Sequence, residues 1–136
     1  MNPRTNQCLE TLPESDYELL RPHLRLMSLG AGQSLNEALS RPDKLYFPVN
    51  ALIALRKDTP DGLSIDTATI GAEGLLGLSG LTGHSYFQTI VAEPGLVYQL
   101  DISHMQRLID LHPMITKMCM RAAQLVIRKI SMELLC

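Results

Sequence analysis

RPDKLYFPVNALIAL, residues 41–55, is the segment that decides the fold. It contains two short apolar runs separated by Pro48 and Asn50, and the second run leads to Asp61-Gly62, a dipeptide typical of hairpin turns. The segment IGAEGLLGL, residues 70–78, then follows the hairpin with a glycine-flanked acidic turn. Short apolar runs punctuated by Gly, Pro, Asn and Asp are typical of an antiparallel β-sandwich or roll.

This punctuated pattern extends from Leu26 to Leu100 and predicts an antiparallel β-roll. Within it, Thr59-Pro60-Asp61-Gly62 predicts a hairpin, because glycine tolerates the positive φ that such turns require. The two strands that flank this turn should therefore pair antiparallel. The predicted strands cover residues 25–29, 33–36, 44–47, 50–57, 63–70, 86–92 and 96–100.

Helices are predicted on both sides of the roll. Ser15 and Glu18 have the spacing of a capping box, which predicts a short helix over residues 14–21. Ser103 is expected to cap a second short helix over residues 103–111, and Pro113 suits the first turn of a long helix that continues to the end of the chain. The predicted fold class is therefore α+β: a jelly-roll-like β-roll with a short N-terminal helix and a long C-terminal helix.

The long helix carries two apolar faces. One has the alternating three- and four-residue spacing of a coiled-coil seam, which predicts a homodimer through this helix. The neighbouring face is expected to cover the roll, although a stripe that serves only its own roll is an alternative. The predicted dimer interface consists of Met120, Ala123, Ile127, Ile130 and Leu134, and the neighbouring face of Met114, Met118, Ala122, Leu125 and Met132.

Composition limits the class of protein. The chain has 136 residues, 46% of them hydrophobic and 19% charged, which favours one folded domain over a disordered one. A net charge of -2 and a pI near 6.0 disfavour nucleic-acid binding through a broad basic face. Residues 1–16 are polar and interrupted by prolines, so no signal sequence is expected. We expect a cytoplasmic protein with reduced cysteines.

The order of these motifs resembles the sensor domain of the Crp/Fnr bacterial transcription regulators. Gly32-Gln33-Ser34-Leu35 lies where that family has an early roll turn, and residues 93–100 look like its last strand. The resemblance implies a cyclic-nucleotide-binding-like sensor over residues 1–112 and a dimerisation helix over residues 113–136, within one compact unit. In that family a winged helix-turn-helix follows this helix. We expect DNA to be a partner only through such a domain, which this chain lacks. The apolar helical end of the chain at Cys136 suggests truncation.

The resemblance also implies a ligand site. Cyclic-nucleotide-binding members have a Gly-Glu turn that opens a short helix, whose amides hold the phosphate, and an Arg that completes the phosphate contacts. Residues 71–77 match the first half, but the segment between Gly83 and Glu93 has no Arg or Lys. The missing cation would cost about tenfold to hundredfold in affinity, so we expect no high-affinity cyclic-nucleotide binding. The candidate ligand-binding residues are Gly71, Glu73, Gly74, Leu75, His84 and Ser85.

For two of these candidates the argument for ligand binding is weaker. His84 could replace the arginine only when protonated, and histidine titrates near pH 6.5. The carboxylate of Glu73 would be stabilised beside a helix start with or without a ligand.

Other functional classes have weaker support in the sequence. Cys8 is the only cysteine near the N-terminus, too few for an iron–sulfur cluster, and no histidine or methionine stands out as a haem ligand. We therefore expect no metal and no cofactor. Nucleophile-elbow, Walker and zinc-protease motifs are missing, so we expect a non-catalytic domain. The alternative to a regulator is a stand-alone protein-interaction module with a degenerate cyclic-nucleotide-binding fold.

Overall fold

The computed structural model describes residues 1–135, with side chains described for residues 1–132. Strands run over β1 (Arg25–Leu29), β2 (Ser34–Asn36), β3 (Lys44–Pro48), β4 (Leu52–Asp58), β5 (Ser64–Ile70), β6 (Gln88–Glu93) and β7 (Gly95–Asp101). Helices run over α1 (Gln7–Glu10), α2 (Glu14–Leu20), α3 (Ile102–Leu108) and α4 (Pro113–Leu135), with short 3-10 helices at Pro3–Thr5, Arg21–His23 and Leu78–Leu81.

The strands form two antiparallel sheets, in the orders β1-β7-β3 and β2-β6-β4-β5. The predicted hairpin is confirmed, because β4 and β5 pair antiparallel from Ile53 opposite Ile70 to Asp58 opposite Ser64. In its turn the Thr59 amide donates to the carbonyl of Leu63 at 2.7 Å, and Gly62 adopts a φ of 86°. The predicted roll is therefore the observed architecture.

Side chains of the three-stranded sheet point alternately to its two faces along each strand. Each face packs against another part of the protein. On β3, Leu45 and Phe47 are buried against the helices, whereas Tyr46 between them packs into the roll interior. On β7, Tyr98 likewise faces the helices and Val97 faces the interior. The described residues thus form two apolar cores, one inside the roll and one between this sheet and the helical layer.

Helix α4 spans both cores. Its first half buries apolar residues at helical spacing in the helical core, and Val126 and Ile130 in its second half pack against the roll core. The remaining face of the helix points away from the body of the domain. The buried residues of the first half are Ile115, Met118, Cys119 and Ala122.

The predicted helix caps need two corrections. Helix α2 begins at Glu14 with Pro13 at the N-cap and no side-chain cap bond, so the capping box at Ser15 and Glu18 is wrong. Helix α3 begins at Ile102 after Asp101, so Ser103 lies inside the helix and does not cap it. In the long helix, Pro113 occupies the first position as predicted.

Candidate functional site

The glycine-flanked acidic turn at residues 71–74 is a junction between the roll and the helices. The Gly74 amide donates to the carbonyl of Gly71 at 3.0 Å, which closes the turn. The Glu73 carboxylate accepts from the Gly71 amide at 3.1 Å and forms an ion pair with Lys129 of α4. Lys129 also donates to the carbonyl of Thr69 at 2.9 Å. Glu73 therefore ties α4 to the end of β5.

The environment of Glu73 favours its charged form. Burial alone would raise the pKa of this carboxyl, but the hydrogen bond from Lys129 and the backbone amides of Glu73 and Gly71 outweigh burial and lower the pKa. At neutral pH the carboxylate is charged and already has a cationic partner. Its hydrogen-bonding capacity is largely used within the protein.

The carbonyls of the same turn hold the N-terminal segment. The amide of Gln7 donates to Ala72 at 2.8 Å, and the side-chain amide of Asn6 donates to Gly74 at 3.0 Å. Asn6 is fully buried and also donates to the carbonyl of Pro48 at 2.8 Å, while its side-chain oxygen caps α1. Asn6 was not among the predicted site residues, because its signal in the sequence is an Asn before a helix too short to show periodicity.

Gly74 and Leu75 are packing residues. A Cβ added at Gly74 would lie 2.5 Å from Ile70 and 3.4 Å from Leu125 of α4, so only glycine allows this approach. Leu75 is buried in the helical core. Both residues thus face protein atoms on the side of α1 and α4.

His84 and Ser85 lie in a different part of the roll. The Ser85 amide donates to the carbonyl of Ser40 at 2.9 Å, and its own carbonyl accepts from the Leu39 amide at 2.7 Å. His84 is exposed. Ser85 contacts the loop before β3, whereas Glu73 contacts α4 and the Gly71 amide, so the structure does not bring these two candidates together with Glu73.

The short helix of the roll opens at Gly77, six residues after Gly71. Gly77 has a φ of 100° and precedes the 3-10 helix Leu78–Leu81, so the residue after this helix-opening glycine is Leu78 and not an acid. The cavity beside it measures about 40 Å³. That volume is little more than one water molecule occupies, far below the ~300 Å³ of a typical small-molecule site. Both apolar and polar side chains line the cavity, among them Leu35, Leu55, Leu76, Asn36, Asp43, Lys44 and Thr89.

The outward face of α4 carries most of the predicted dimer interface. Met120 and Ile127 are 67% and 63% exposed, and Ala123 between them is also exposed. Ile130 is half-buried and packs on the roll, and the side chain of Leu134 lies outside the described residues. The exposed stripe borders a groove of about 750 Å³ whose other walls include Ile109, Pro113 and Thr116.

Two further findings concern only the part of the chain that the structure describes. Among residues 1–135, no helix combines the length and apolar character needed to cross a membrane. The described side chains contain no group of three His, Cys, Asp or Glu residues placed to hold a metal ion.

Comparison with known proteins identifies the fold. No family model matches the sequence, and no curated protein matches it. Solved structures do match: the N-terminal domain of a transcriptional regulator from Streptomyces coelicolor A3(2) is 21% identical with a TM-score of 0.68, and the match covers 98% of this chain and 95% of that one. A cyclic nucleotide-binding domain from Methylobacillus flagellatus is 13% identical with a TM-score of 0.72, and the match covers 91% of this chain and 74% of that one.

The catabolite activator protein of Thermus thermophilus gives a TM-score of 0.74 at 16% identity, and the match covers 93% of this chain but only 61% of that one. Likeness at such identities concerns the fold. The chain thus has the fold of Crp/Fnr-type regulator sensors and cyclic nucleotide-binding domains, as the resemblance implied.

Proposed function

We propose that this chain is the effector-sensing and dimerisation domain of a Crp/Fnr-like transcription regulator, and that it acts in the cytoplasm without catalysis. It forms a homodimer through α4 and reaches DNA through a domain outside this chain. The fold supports the general class of protein, a Crp/Fnr-like regulator. The observation that carries the proposal is the exposed apolar stripe on α4, because the opposite face of that helix is already covered by the protein's own two cores.

The stripe has the chemistry of a helix-to-helix interface. Met120, Ala123 and Ile127 follow one another at spacings of three and four residues, so they lie on one side of the helix. Large apolar side chains that remain more than half exposed gain free energy when a partner covers them. A second copy presents the same stripe, which makes a two-fold symmetric contact the simplest way to cover it.

The roll supports a regulator that does not depend on cyclic nucleotide. The cavity beside the 3-10 helix is too small for a nucleotide, and Lys44 at its edge is held in an ion pair with Asp101. A signal would act by changing how the roll packs on α4, which requires a ligand with different affinities for the two arrangements. Because Glu73 and Lys129 join roll and helix, their ion pair is a suitable point for such coupling.

Sedimentation of an Ile127→Glu variant tests the dimer. The glutamate would place an unpaired charge in the apolar seam, and we expect the dimer dissociation constant to rise at least about hundredfold. Since Ile127 is exposed in one copy, the fold of the monomer should be unaffected. The matched control is Ile65→Glu, which changes a half-exposed isoleucine of β5 and should leave the dimer intact. An Ile127→Glu protein that sediments as an unchanged dimer would disprove the proposed interface.

A further inference from the structure

A second groove, separate from the roll cavity, lies between the N-terminal segment and α4. Its volume is about 360 Å³, within the range of about 300–1,000 Å³ found for small-molecule sites. The floor is apolar and consists of Cys8, Met118, Ala122 and Leu125. Burial, with a smaller contribution from nearby Glu73, raises the pKa of Cys8 to about 11, so the thiol is neutral at physiological pH.

Two arginines of α4 stand at the rim of this groove. Arg121 and Arg128 are seven residues apart, two helical turns or about 10 Å along the axis, so both lie on the same side of the helix. Both side chains are exposed, and among the side chains of residues 1–132 neither has an acidic partner within salt-bridge distance. Glu73 also lines the groove, but Lys129 neutralises its charge. The groove is therefore net positive above an uncharged floor.

We propose that this groove binds a small organic acid whose carboxylate is held by Arg121 and Arg128 and whose apolar body lies on the floor. Guanidinium groups bind carboxylates through paired, charge-assisted hydrogen bonds. The thioether of Met118 adapts its shape to an apolar body more readily than branched side chains do. Gln7, Thr11 and Gln124 at the rim add polar groups that favour the wet, charged end of such a ligand.

The position of the groove links this ligand to the dimer. Arg121 and Gln124 line both this groove and the groove beside the outward stripe of α4. A carboxylate that draws the Arg121 side chain toward α1 would remove it from the edge of the dimer seam. This second step rests on the proposed dimer, whereas the binding site itself does not. We infer that organic-acid binding shifts the monomer–dimer equilibrium.

Binding is tested by titrating the monomeric Ile127→Glu variant with octanoate, 1-octanol and inorganic phosphate. Two-dimensional NMR detects the binding of each compound. We expect octanoate to shift the amides of Cys8, Thr11 and Leu125, and to bind at least about tenfold more tightly than the neutral alcohol or phosphate. Arg121→Gln and Arg128→Gln should each weaken octanoate about tenfold, whereas Arg25→Gln on β1 removes the same charge elsewhere and should not. Equal affinity for octanol, or arginine variants that bind as tightly as the parent, would overturn the site.

The link to the dimer is tested separately with the wild-type chain. Sedimentation with saturating octanoate should give a dimer dissociation constant changed by at least about fivefold. If octanoate binds to the groove and this constant stays the same, the coupling is wrong while the site stands. If the wild-type chain is monomeric at every concentration, the proposed function fails, and the NMR result on the site is unaffected.

Discussion

At the scale of single residues, the amide of Asn6 connects three parts of the molecule. It caps α1 with its oxygen and donates to carbonyls of β3 and of the 71–74 turn with its nitrogen. All of these bonds are buried. Buried polar groups are costly once their partners are removed, so a small side chain here has a large effect on the attachment of the N-terminus.

Replacing Asn6 by alanine should lower the free energy of unfolding by about 3 kcal/mol. The loss combines about 1 kcal/mol for the helix cap with the cost of two buried carbonyls left unpaired. Urea denaturation followed by circular dichroism measures it. Asn2→Ala is the control, because the side chain of Asn2 accepts an exposed hydrogen bond from the Arg4 amide, and its loss should cost less than about 1 kcal/mol. Equal losses for the two variants would contradict this account of Asn6.

Gly77 should be equally intolerant of substitution, for a steric reason. Its φ of 100° is unfavourable for other residues, and an added Cβ would lie 2.2 Å from the carbonyl oxygen of Lys44. We expect Gly77→Ala to lower the midpoint of urea unfolding by an amount equivalent to at least about 2 kcal/mol. At Gly83 an added Cβ meets nothing within 4 Å, so Gly83→Ala should be neutral. A harmless Gly77→Ala would show that this turn can relax.

The residues at the candidate site were only partly predictable from sequence. Glycine and acid at positions 71–74 indicated a special turn, and the turn is there. The partner of Glu73 was not predictable, because Lys129 lies 56 residues further along the chain and reaches it only through packing of α4. The position of the roll's short helix was also missed, since Gly71, Gly74 and Gly77 look alike in sequence and only the positive φ of Gly77 distinguishes it.

At the scale of elements, the strands were predictable and the helix caps were not. Turn residues such as Gly62 and Pro60 mark strand ends directly, and each strand boundary lies within two residues of its expected position. A helix cap requires a side chain that is free to accept hydrogen bonds from the backbone amides at the helix start. Glu18 pairs with Arg21, and the carboxylate of Asp101 pairs with Lys44, so neither is used as a cap.

The attachment of α4 to the roll should depend on pH through Glu73. The folded pKa of Glu73 lies below its ordinary value of 4.5, so its ion pair stabilises the fold above that pH and is lost as pH falls through the folded pKa. Glu73→Gln should therefore lower the free energy of unfolding at pH 7, by less than about 1 kcal/mol because both partners are about one-third exposed.

The difference between wild type and Glu73→Gln should shrink toward zero as urea denaturation is repeated at decreasing pH. Glu93→Gln serves as the control, because Glu93 is exposed at the end of β6, and it should differ little from wild type at any pH. A difference for Glu73→Gln that grows at acid pH would mean that the carboxylate destabilises the fold.

At the scale of the whole molecule, the two tasks of the proposed sensor lie in different parts of the fold. The interior of the roll is packed with its own apolar side chains. Helix α4 lies across both cores, with one face free for a partner and one edge beside a positively charged groove. A ligand on that edge would reach the dimer seam through one helix, without any change inside the roll.

Isothermal titration of the chain with cyclic AMP and cyclic GMP tests the central claim most directly, namely that this is a cyclic-nucleotide-binding fold whose roll is closed to cyclic nucleotide. With a cavity of about 40 Å³ beside the Gly77 helix, we expect no saturable heat at micromolar concentrations of either nucleotide. A micromolar dissociation constant, lost on narrowing the same cavity further by Thr89→Leu, would show that the roll opens to its ligand and would contradict this account.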